Sequence, residues 1–107
     1  MINVWFAPDV LEKVQDKRAT MNTCENCVVQ YVQDETRRHG RINGSARVRE
    51  QLCDIIQEAI ATLDPHLRGL LGITYRQSAK ESVTLEVRMS SVLYHLVEIN
   101  PGAARHH

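Results

Sequence analysis

The sequence predicts an α+β fold in which an antiparallel helical hairpin packs on a small C-terminal antiparallel β-sheet. Three observations lead there: an apolar seam at helical spacing through residues 8–39, a wide apolar arc on residues 45–63, and two alternating β-branched runs near residues 73–76 and 83–89. The alternative is an all-α bundle. With 107 residues, 43% of them apolar and 24% charged, the chain has the size and composition of one globular domain, taken as residues 1–107 with a frayed tail at 103–107.

Pro8 suits a first helical position, and Asp9 and Glu12 favour the positive end of a helix dipole. From there Val10, Val14, Met21, Cys24, Val28 and Tyr31 trace a heptad seam with Lys17 as its polar member. One helix over roughly 8–39 accounts for this; a break at Ala19–Thr23, where Thr and Asn are weak helix formers, competes with it. Arg37, Arg38 and His39 followed by Gly40 predict the helix end: cations in the last turn, glycine just beyond.

Ser45 is the expected N-cap of the next helix, which runs to Leu63 before Asp64-Pro65. Val48, Leu52, Ile55, Ile56, Ala59, Ile60 and Leu63 fill one arc of roughly 140°, wider than a two-helix seam needs, so more than one neighbour or a second subunit should meet it. A short turn over His66–Leu71 then leads into the hairpin. Ser90-Ser91 and the apolar run 92–99 read as a third strand in preference to a Ser-capped helix.

Thirteen basic and thirteen acidic side chains leave no net field to draw the chain to nucleic acid or membrane. The N-terminus lacks a secretory signal pattern, no apolar run is long enough for a membrane span, and three cysteines do not make a disulfide scaffold, so the expected location is the cytoplasm. Charge is nonetheless clustered. Arg37, Arg38, Arg41, Arg47 and Arg49 fall within thirteen residues that contain no acid. The helix that they end explains Arg37 and Arg38, but Arg47 and Arg49 open a helix where acids are preferred. That cost suggests an external anion held by the guanidinium forks, on an acidic protein face or a nucleic-acid backbone. Against it, Asp34, Glu35 and Glu50 are close enough to neutralise part of the cluster.

Cys24 and Cys27 form a C-x-x-C pair, but no strand leads into it as a redox motif requires, and there is no second closely spaced pair for zinc. Burial on the apolar helix face is the simpler account, with Cys53 placed opposite Tyr31 in the hairpin. Trp5 and Phe6 suit a core anchor or a short edge strand, or, if exposed, a binding hot spot. No nucleophile or acid/base constellation is visible, and no cofactor or metal is expected. A helix-turn-helix reading fails because the outward face of residues 45–63 bears Glu50, Asp54 and Glu58.

The expected function is therefore a non-enzymatic protein-binding or regulatory module, of inhibitor or adaptor type, acting through a helical hairpin with an arginine-rich tip. A homodimer is expected, with Trp5, Phe6, Leu52, Ile56 and Ile60 as possible interface residues. A nucleic-acid-binding regulator using the same arginines ranks second, and a small enzyme with a site invisible in sequence third.

Overall fold

A computed structural model describes residues 2–40, 45–78 and 82–90. The chain runs through β1 (Ile2–Phe6), α1 (Pro8–Lys13), α2 (Lys17–His39), α3 (Ala46–Leu63), a 3-10 turn (Pro65–Leu67), β2 (Leu71–Gln77) and β3 (Val83–Met89). It is an α+β fold with a helical hairpin on a three-stranded sheet, which excludes the all-α alternative.

Both helices of the hairpin end where local chemistry places their caps. Asp16 accepts from the Ala19 amide to start α2, and Gly40, at φ 80°, closes it with its N–H on the Thr36 carbonyl. Ser45 Oγ accepts from the Val48 amide to start α3. The helical seam over residues 8–39 is interrupted, but at Val14–Asp16 and not at Ala19–Thr23. Val14 turns extended (ψ 148°), and the Asp16 side chain supplies a stronger cap than the later Thr and Asn.

The sheet corrects the expected topology. Its order is β1-β3-β2, with β2 and β3 antiparallel as predicted but β1 parallel to β3. The N-terminal strand, which the helical segments α1 to α3 separate from β2 and β3, thus occupies the second flank of β3, so the sheet is mixed and not purely C-terminal. The predicted strand at 92–99 lies outside the described residues.

Alternation sorts the sheet into two faces. Phe6, Leu71, Val83, Leu85 and Val87 point to the helices and are buried with Val10, Cys24, Val28, Val48, Leu52, Ile56 and Ile60. Trp5, Arg88, Glu86 and Arg76 share the opposite face: the Arg88 guanidinium lies 4.8 Å from the Trp5 ring, and Glu86 pairs with Arg76 at 2.9 Å and Arg88 at 3.1 Å. Among the described residues, no helix is long and apolar enough to cross a membrane.

The hydrogen-bond phase of the hairpin fixes which backbone groups of β2 face β3 and which face away from it. Ser90 donates to Leu70 O (2.7 Å) and Ser78 to Ser82 O (2.8 Å), so directly opposed even-numbered pairs exchange the bonds. Gly72, Thr74 and Arg76 therefore turn their backbone groups toward β3. Leu71, Ile73, Tyr75 and Gln77 turn theirs outward.

Candidate functional site: the hairpin end and the groove between α3 and β2

The structure brings the ends of α2 and α3 together and divides the arginine cluster. Arg37 pairs with Asp34 one turn back on its own helix. Arg47 crosses to α2 and pairs with Glu35 at 2.6 Å. Arg49 stands over the Tyr75 ring at 5.7 Å, and Arg38 is exposed with no ion pair to a described residue. Arg41 lies outside the described residues.

Glu35 is the hub of this end. It is only 6% exposed, unusual for a carboxylate, and its second oxygen is 3.5 Å from His39 Nε2. The Tyr31 hydroxyl donates to Gln51 Oε1 and stands 3.3 Å from Glu35 Oε1, while Arg47 also reaches Gln51 at 3.2 Å. The unfavourable placement of Arg47 in the first turn of α3 is thus offset within the chain by a carboxylate that needs a cation. Arg49 has only the Tyr75 ring, so the part of the cluster that still calls for explanation is smaller than the sequence suggested.

Hydrogen bonding from Arg47, then the charges of Arg47 and His39 and a hydrogen bond from the Tyr31 hydroxyl, hold the Glu35 carboxyl below its ordinary value of 4.5 against the opposing effect of burial. A carboxyl whose pKa falls on folding adds stability above pH 4.5, and that stability is lost as pH drops through the lowered folded value. Glu35→Gln should therefore shallow the acid limb of the stability curve below about pH 4.5. Urea midpoints measured at pH 3 to 7 check this; parallel curves for the two proteins would count against the Glu35 hub.

Leu52, Ile56 and Ile60, expected as interface residues, are 0% exposed. They fill the space between α2 and the sheet, so no partner touches them. Phe6 is buried with them, and Trp5, 42% exposed on the open sheet face, is the one member of that set a partner can reach. The breadth of the α3 arc is accounted for by α2, β2 and the 3-10 turn, all of which it packs against.

Cys24 is buried at α2, and burial, then Cys27, pushes its thiol up to about 12. Such a thiol carries no useful thiolate at neutral pH. Cys53 does not oppose Tyr31. It faces β2, where its Sγ lies 3.8 Å from the outward-turned Ile73 carbonyl.

That contact reveals a groove the sequence did not suggest. It is about 490 Å³, open, and runs between α3 (Ala46, Arg49, Glu50, Cys53, Asp54) and β2 (Ile73, Thr74, Tyr75). Cys53 lies by Ile73 and Arg49 by Tyr75, so helix and strand run antiparallel along its length. Among the described residues, Glu50 and Asp54 have no cation within ion-pair distance. Burial, then Asp54 and Glu50, raises the Cys53 thiol, as expected beside carboxylates that no cation offsets. Compared with protein families, curated proteins and solved structures, the chain matches none of them.

Proposed function

We propose that the chain is a small, non-enzymatic cytoplasmic module that binds another protein, as an inhibitor or adaptor does, through the α2–α3 hairpin and its flank. The observation that carries this reading is the division of the arginine cluster. With Arg37 and Arg47 held by Asp34 and Glu35, Arg38 stays exposed at the end of α2, and Arg49 lines the groove beside the acids Glu50 and Asp54. Mixed signs at close range complement a mixed protein surface, whereas a phosphate backbone would meet the acids as well as the arginines. The three free cysteines suit a reducing compartment. A second copy of the chain is one candidate partner, and light scattering at micromolar concentration decides it.

A photo-crosslinking side chain at Arg38 should capture a discrete partner in the source cell, one at Lys13 should not, and Arg38→Glu should weaken the association. Equal capture from both positions, or none from Arg38, would remove the reading. Filter binding over a salt series tests the phosphate alternative: affinity falling steeply with salt, by a slope of about one per contact, would put nucleic acid in the partner's place.

A further inference from the structure

We infer that the outer edge of β2 is a strand-addition site: an extended partner segment carrying lysine or arginine at positions i and i+2 lies along β2 as a fourth strand, its two cations on Glu50 and Asp54. This rests on the protein-binding reading above and names the partner's chemistry.

The edge supplies the backbone half of the recognition. Ile73 and Tyr75 turn their N–H and C=O groups away from β3, and the only contact that a described residue makes to any of these groups is the long one from Cys53 Sγ to Ile73 O. Edge groups with no strand partner among the described residues are a template for another strand. A peptide added there places every second side chain under α3, over Ile73 and the Tyr75 ring.

Charge and spacing supply the other half. Glu50 and Asp54 are one turn apart on α3, about 6 Å along the axis, and alternate residues of an extended strand advance about 6.8 Å. Because α3 and β2 run antiparallel through the groove, the two acids fall opposite consecutive groove-facing residues of an added strand. Neither nearby cation is paired with these acids: Arg49 lines the same groove but lies over the Tyr75 ring at 5.7 Å, and Arg76 is on the opposite sheet face with Glu86 at 2.9 Å. An extended segment with acidic residues at those positions would meet two carboxylates.

The probe is a fluorescein-labelled decapeptide of alternating threonine and lysine, titrated against the full-length protein at low salt and read by polarisation. Saturable binding is expected, with alternating threonine and glutamate failing to bind. The double substitution Glu50→Lys and Asp54→Lys, on exposed positions that leave the core intact, should weaken binding by about tenfold. N-methylation of alternate peptide amides, which removes strand hydrogen bonding without removing charge, should weaken it at least as much. Absence of binding at millimolar peptide overturns the inference. So does lysine-peptide binding indifferent to N-methylation, or to the charge reversal, since either means general charge attraction. These results leave the photo-crosslinking at Arg38 untouched, so the strand-addition site can fail while the binding module stands.

Discussion

Ile56→Ala should lower the unfolding free energy by about 2–5 kcal/mol, the usual cost of emptying a fully buried aliphatic position. Ile56 lies on the central stripe of α3 with Leu52 and Ile60, in the core that also takes Leu85 and Val87 from β3. The loss has two parts: the transfer free energy of the deleted carbons, and the contacts their neighbours forfeit around the remaining cavity. For a domain whose whole stability is on the order of 5–15 kcal/mol, such a loss is a large fraction. Urea denaturation at pH 7 measures it. The same experiment separates the two roles this residue has been given: an interface residue would tolerate alanine in the free chain and lose affinity for a partner, whereas a core residue loses stability with no partner present.

Asp64→Ala should cost about 1–3 kcal/mol, the penalty of leaving a buried donor without its acceptor. Asp64 is buried at the end of α3, and its Oδ1 accepts the Gln15 amide at 3.1 Å, joining positions forty-nine residues apart. This bond ties the α1–α2 connection to the α3 terminus, and His66 Nε2, 3.1 Å from the Lys13 carbonyl, reinforces the same junction. Asp64→Asn keeps an acceptor for the Gln15 amide and removes a buried carboxylate whose Oδ2 has no hydrogen-bond partner among the described residues. Asparagine should therefore cost less than alanine. Thermal or urea unfolding of the two variants checks the order; equal losses would mean that the Gln15 contact contributes nothing.

The elements with strong local signals were legible in the sequence, and the contacts between distant segments were not. Ser45, the continuous apolar arc of α3 and the Arg37-Arg38-His39-Gly40 ending each state a helix boundary or face within a few residues, and the structure follows them. The β2–β3 hairpin was equally plain from its β-branched runs. The break at Val14–Asp16 was obscured because the apolar seam continues through Val14 in sequence although the helix does not. Nothing local in Ile2–Phe6 marks a parallel partner some eighty residues away, since that pairing is set by which flank of β3 remains open.

The candidate site divides along the same line. The guanidiniums were visible as a cluster, and Glu35 as a nearby acid, but its burial depends on Tyr31, Arg47 and Gln51 meeting across the hairpin. The groove needed both α3 and β2. Its one trace in sequence was the i, i+4 spacing of Glu50 and Asp54 on the outward face of α3, which reads as ordinary solvated surface until β2 is placed beside it.

The inference that the outer edge of β2 is free to take a strand is tested most directly by amide hydrogen exchange, residue by residue, in the free full-length protein. Gly72, Thr74 and Arg76, bonded to β3, should exchange slowly, and Ile73, Tyr75 and Gln77, turned outward, should exchange fast. Uniform slow exchange along 72–77 would mean that the edge is already filled in the free chain and would contradict the account.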